Sequence, residues 1–306
     1  MVSQTNMPIT TQSTAAPNLT LPGLRPGPEE TWDAMRRFSG PTPDEIGAMR
    51  QTVDILFERG YELVTSTYDY LRKVPETAAI LGWEQGVDEE HLAERRRFFT
   101  IWLARTLSID LGTDFARYLF HAGQVHAGHG PRQIHTPGMW VTGSMGLVLA
   151  TFARFIQEAH SDVAVVAPAL SGWNKYLMLQ LNQMLSGYEV ARALEDGEIA
   201  LTIKTYGRAR HEWGRESITM QYTAGQRVAN VLKRLVEYAP TLREMLFEKS
   251  WQSEYSDQDL WMRVERVYVL QGNWRVLVNG QDLRYYGGFE RALKEGDTLD
   301  LFPPGR

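Results

Sequence analysis

The chain has 306 residues, long for one domain and comfortable for two, and its 43% hydrophobic and 23% charged residues are ordinary globular proportions. A net charge of −5 gives no electrostatic case for nucleic acid or an anionic membrane as partner, and the short basic run Arg95–Arg97 reads as the solvated face of a helix. The absence of cysteine excludes disulfides, thiolate zinc sites, iron–sulfur clusters and sulfur nucleophiles.

Residues 1–41 are dense in Ser, Thr, Pro and Gly and are expected to form a flexible tail, with at most a helical turn near Glu30–Phe38. The first twenty lack the charged start and apolar core of a secretory signal. No apolar run approaches the roughly 20 residues that span a bilayer, so a cytoplasmic location is expected.

Order begins at "TPDE", where Thr42 can cap a helix with Glu45 three residues on. From there to about 195 the apolar spacing is helical. Met49, Val53, Leu56 and Phe57 form one stripe, and Leu63, Val64, Tyr68 and Leu71 the next. Further stripes are Phe98, Trp102 and Leu103, then Met145, Val148, Leu149 and Phe152, then Trp173, Leu177, Leu181 and Met184. Pro75, Gly82, Gly112, Pro131, Pro137 and Pro168 punctuate them, giving an all-α domain of about seven helices over 42–195.

After "EDGE" the period changes. "IALTIKTY" and "SITMQY" alternate as strands do, with Ile199, Leu201 and Ile203 sharing a face. "AGQRVANVLKRLVEYAP" returns to helical spacing, Asn279–Gly280 is a hairpin signal, and "LKEGDTLDLFPP" reads as a turn and a last strand. The second domain, 199–306, is therefore expected to be α+β, a small mixed sheet wrapped on one helix.

Four of the seven histidines fall between His121 and His135. On a helical wheel with Phe115 at zero, the apolar residues Tyr118, Leu119, Ala122 and Val125 centre a buried arc near ~330°. His126 falls near ~20° and His129 near ~320°, both inside it, while His121 at ~240° lies on its edge. A cation at His129 would suit the helix C-terminus, which is reason enough for that residue; His126 has no such reason. A zinc site from His126, His129 and His135 would have loose spacing, a proline-containing turn before its third member and no partner carboxylate.

"TYDYLRKVPE" followed by "RYLFHAGQVHAGHGPRQIHTPGMWVTGSMG" resembles the protoglobins and the globin domains of globin-coupled sensors. The resemblance implies a globin fold binding haem b, with His126 as the iron ligand and Tyr68 on the distal side. Phe98, Phe99 and Trp102 are expected as the apolar distal wall. It also implies a diatomic gas ligand (oxygen, with CO or NO as alternatives) and permits a homodimer through the globin domain.

The C-terminal "VLVNGQDLRYYGGFERALKEGDTLDLFPPGR" is similar to the MoaD/ThiS-like sulfur carriers of molybdopterin and thiamine synthesis, which have a ubiquitin-like β-grasp fold. Those carriers end in Gly-Gly, whereas here Pro303-Pro304-Gly305-Arg306 stands. An interaction domain with an unknown protein partner is therefore expected in place of carrier chemistry. The leading expectation is a gas-binding or gas-sensing haem protein rather than an enzyme. The alternatives are a haem enzyme acting on oxygen, nitric oxide or peroxide, and a haem-regulated sulfur carrier.

Overall fold

The computed structural model describes residues 18–254 and 263–304. It divides into two units, residues 25–195 on one hand and residues up to 24 with 196 onward on the other.

The first unit is helical. Helix α1 (Pro28–Ser39) is followed by α2 (Pro43–Glu58), α3 (Gly60–Leu71), α4 (Pro75–Leu81), α5 (Glu89–Leu107), α6 (Thr113–His126), α7 (Gly138–Ala159) and α8 (Val163–Ala193). Seven of these lie between Thr42 and Leu194, as the apolar spacing requires. The capping box forms at Thr42: its hydroxyl accepts from the Glu45 N–H at 3.3 Å, and the Glu45 carboxylate accepts from the Thr42 N–H at 2.7 Å. Glu45 also accepts from Ser171 Oγ at 2.6 Å and from Lys175 Nζ at 2.7 Å, which ties α2 to α8.

Three expectations are corrected here. The tail expected over 1–41 contains structure from Asn18 on, including three turns of α1. Trp32 is fully buried, and its indole N–H donates to the Leu111 carbonyl at 3.1 Å. One tryptophan supplies the apolar area that composition alone did not show. Pro168, taken as punctuation, lies inside α8. There its ring removes the donor that the Ala164 carbonyl would otherwise take, and the helix continues past it to Ala193. Helix α7 has the length and composition to cross a membrane. Yet Val141, Met145, Val148, Phe152, Phe155 and Ile156 of that helix are buried in the core of the unit.

Helices α6 and α8 approach most closely at two glycines. A Cβ on Gly123 would lie 1.8 Å from the Met184 carbonyl oxygen, and one on Gly187 would lie 1.9 Å from that of Phe120. The backbones thus touch where no side chain intervenes.

The second unit holds β2 (Ile199–Thr205), α9 (Gly207–Trp213), β3 (Ser217–Tyr222), α10 (Val228–Tyr238), α11 (Pro240–Leu246), β4 (Phe247–Glu254), β5 (Arg263–Leu270), β6 (Arg275–Val278), β7 (Gln281–Asp282) and β8 (Thr298–Phe302). One sheet has the order β3-β2-β8-β6-β7, with β2 and β8 parallel and the other pairs antiparallel. Leu201 and Ile203 turn inward with Met220, Val276, Val278, Leu299 and Leu301, and α10 buries Val228, Val231, Leu232 and Leu235. A central parallel pair flanked by hairpins, with one helix crossing between them, is the ubiquitin-like β-grasp arrangement. Asn279 and Gly280 both have positive φ, 52° and 78°, as a tight hairpin turn demands.

A second sheet, β1-β5-β4, was not expected. Strand β1 (Thr20–Pro22) pairs antiparallel with β5, Thr20 opposite Val269 and Pro22 opposite Val267. The Leu19 carbonyl accepts from Leu270 N–H and the Asn18 carbonyl from Phe289 N–H, while Leu21 and Leu24 are buried. The helical unit is thereby a long insertion between two pieces of the other one. Gly305 and Arg306, on which the carrier question turned, lie outside the described residues.

Candidate functional site

Helix α6 buries Phe115, Ala116, Leu119, Phe120, Gly123 and Gln124. On the same wheel these centre near ~90°, about a third of a turn from the arc that hydrophobicity suggests. The Gly123–Gly187 contact sets this rotation. Its consequence is that Tyr118, Ala122, Val125 and His126 form an apolar strip left half-buried.

His126 is the last residue of α6. Its Nδ1 lies 2.7 Å from the Ala122 carbonyl oxygen. A carbonyl can only accept, so Nδ1 carries the proton and Nε2 keeps its lone pair. Among the described residues Nε2 has no hydrogen-bond partner. Burial holds the imidazole below its usual pKa, the Arg95 charge adding to this and the Ala122 hydrogen bond opposing it. The His126 carbonyl accepts from Thr136 N–H at 2.7 Å, closing the following loop back on the helix end.

The other three imidazoles have their own partners. His121 Nδ1 lies 3.2 Å from Gln124 Oε1, His129 Nε2 3.3 Å from Glu195 Oε1, and His135 Nε2 2.8 Å from the Tyr188 hydroxyl. Among the described residues no three His, Asp or Glu side chains come together as a metal cluster. The chemistry of a neutral imidazole with a free Nε2 fits a single-ligand haem site.

The remaining expected residues lie on α3 and α5. Tyr68 is half-buried, and its hydroxyl donates to the Arg95 carbonyl at 3.0 Å. Burial pushes the phenol pKa up to about 12, with the charges of Arg95 and Arg96 opposing. The Phe99 ring meets Tyr68 edge-on at 6.1 Å and stacks on Trp102 at 5.2 Å. Trp102 is buried, its indole donating to Gln180 Oε1 at 2.8 Å. Phe98 does not join this wall. It is 52% exposed, because one residue along a helix turns the side chain about 100° away from the Phe99 face.

Two residues escaped the sequence reading, His91 and Arg95. His91, Arg95, Phe99 and Trp102 recur at helical spacing along one face of α5, a signal masked by the run Arg95–Arg97, which reads as a solvated surface. His91 is 3% exposed and meets the Trp83 ring at 5.4 Å. The Arg95 carbonyl accepts from the Tyr68 hydroxyl, which places this part of α5 against α3.

Among solved structures, the helical part is similar to the globin domain of the Geobacter sulfurreducens globin-coupled sensor. That match has 21% identity, 51% of this chain and 95% of that one covered, and a TM-score of 0.41. The C-terminal part is similar to small archaeal modifier protein 1 of Methanosarcina acetivorans, at 24% identity, 35% and 93% coverage and a TM-score of 0.26. The Haloferax volcanii protein of the same name matches at 22% identity, 35% and 96% coverage and 0.26. Comparison with curated proteins finds no match. The Protoglobin family model matches residues 29–193, and the chain belongs to the Protoglobin family.

Proposed function

We propose that the helical unit binds haem b through His126 Nε2 and holds a diatomic gas, oxygen in the first place, beside Tyr68, Phe99 and Trp102. The β-grasp unit then serves as the docking module for a protein partner. Membership of the Protoglobin family implies the haem, since such globins typically bind it. The observation that carries the assignment to His126 is its tautomer, with Nδ1 anchored on the Ala122 carbonyl and Nε2 free. When bound, haem supplies an iron whose sixth position can take a gas.

The chain's own residues do the rest. The Ala122 carbonyl fixes the imidazole plane and makes Nε2 a better donor to a metal. Phe99 and Trp102 keep water from the distal side. The proton of Tyr68 is committed to the Arg95 carbonyl, so this tyrosine acts first as a wall and holds α3 against α5. A route for signalling leaves the other side. A shift of the α6 end is passed through His129 to Glu195, the last residue of the helical unit.

Absorption spectra of the purified chain test this directly. His126→Ala should lose stoichiometric haem, with exogenous imidazole restoring a Soret band, while His121→Ala and His129→Ala keep it. Normal spectra in His126→Ala with loss in His129→Ala would overturn the assignment. Reversible gas binding without turnover in the presence of a reductant separates a sensor from a haem enzyme.

A further inference from the structure

The Arg95 guanidinium has no role in the proposed haem site. Its neighbours in the arginine run have other surroundings: Arg97 is exposed and Arg96 reaches Asp69 at 3.8 Å. The nearby acids are also engaged, since Arg132 binds Glu94 at 2.6 Å and approaches Asp88 at 3.9 Å. Arg95 is half-buried, and among the described residues no carboxylate lies within ion-pair distance of it. Its Nε donates to His91 Nε2 at 3.0 Å. That contact requires His91 to be neutral, which burial and the charges of Arg95 and Arg132 enforce.

His91 therefore acts as a buried acceptor that orients the guanidinium plane and occupies one of its five N–H groups. The two Nη groups remain, a planar fork of four donors whose geometry matches a carboxylate. An anion in the fork would gain two charge-assisted hydrogen bonds. Arg95 stands one helical turn before Phe99, and its carbonyl holds the Tyr68 hydroxyl at 3.0 Å.

We infer that Arg95, oriented by His91, is an anion-binding residue on the face of α5 beside Tyr68 and Phe99, and that its fork takes a carboxylate-type monoanion. This rests on the haem reading. The anion has two sources: a propionate carboxylate of haem itself, or a small anion entering from solution.

Titrations of the full-length protein distinguish them. Wild type, Arg95→Leu and Arg95→Lys are titrated with haem and with haem dimethyl ester, read at the Soret band. The haem-loaded ferric proteins are then titrated with formate and fluoride, read in the visible spectrum. If the carboxylate is haem's own, Arg95→Leu binds haem at least about tenfold more weakly than wild type, and the two bind the ester equally. If it comes from solution, haem affinity is unchanged and formate and fluoride affinities fall by about that factor. In either case Arg95→Lys, a point charge without the fork, lies between. Equal affinities of wild type and Arg95→Leu for all four probes would overturn the inference. A wild-type chain that takes up no haem would refute the haem reading separately. Formate titration of that protein, followed by tryptophan fluorescence through Trp83 beside His91, then decides the subsite alone. A response lost in Arg95→Leu supports it, and no response in wild type sinks it.

Discussion

Replacing Gly123 by alanine should loosen the helix that carries His126. A methyl group there would sit 1.8 Å from the Met184 carbonyl oxygen and 2.8 Å from both the Met184 carbonyl carbon and the Tyr188 nitrogen. All three are backbone atoms, so no rotamer change relieves the clash. Ordinary contact needs roughly 3.5 Å, and α6 must move from α8 by on the order of 1.5 Å. Overpacking of this kind costs about 3 kcal/mol or more, and alanine returns about 1 kcal/mol through helix propensity. The net loss is about 2 kcal/mol, a fall of roughly 4–8 °C in Tm for a unit of this size. Haem affinity should fall as well, because His126 lies one turn beyond the contact. Circular dichroism melts and a Soret titration measure both effects. Gly187→Ala should behave alike, and the double variant should cost less than the sum, since one separation relieves both contacts. Gly143→Ala on α7 is the control: nothing lies within 4 Å of its Cβ, so it should stabilise slightly. A Gly123→Ala protein as stable as wild type with unchanged haem affinity would refute the close approach of α6 and α8.

Glu45 makes a pH-dependent contribution. Burial alone would raise its pKa, but hydrogen bonds from Lys175, Ser171 and Thr42 lower it from 4.5 to about 2. The stabilisation is therefore full above pH 4.5 and lost as the pH falls toward 2. Glu45→Gln should cost about 1–2 kcal/mol at pH 7 by urea unfolding, and a gap that does not shrink on acidification would contradict the linkage. Tyr68→Phe removes a hydroxyl already bonded to the Arg95 carbonyl, so it should cost about 1 kcal/mol of stability and change the oxygen off-rate less than about threefold. Markedly faster oxygen release would show instead that the hydroxyl changes partner when gas is present. Leu21→Ala should destabilise the β-grasp unit by roughly 2–3 kcal/mol and lower hydrogen-exchange protection in β5. Protection in α6 and α8 should stay the same, and an unaffected β5 would rule out the pairing of β1.

Local rules written into short stretches of the chain were enough for much of this protein. The Thr42–Glu45 box starts a helix because both partners lie within one turn, and Asn279–Gly280 turns a hairpin because both residues accept positive φ. Alternation put Leu201 and Ile203 inside the sheet, and the wheel singled out His126, although it ran the helix on to His129 where the structure ends it at His126. What periodicity cannot supply is the rotation of a helix against its neighbour. Hydrophobicity alone aimed α6 at the wrong side, since the glycine pair that sets its orientation lies on two helices far apart in sequence. The same limit explains why Phe98 and Phe99 could not be told apart and why Arg95 read as surface. Strand β1 is the extreme case. Three residues near the start of the chain carry no strand signal of their own, and they become a strand because β5, some 245 residues later, presents an open edge whose backbone donors and acceptors must be satisfied.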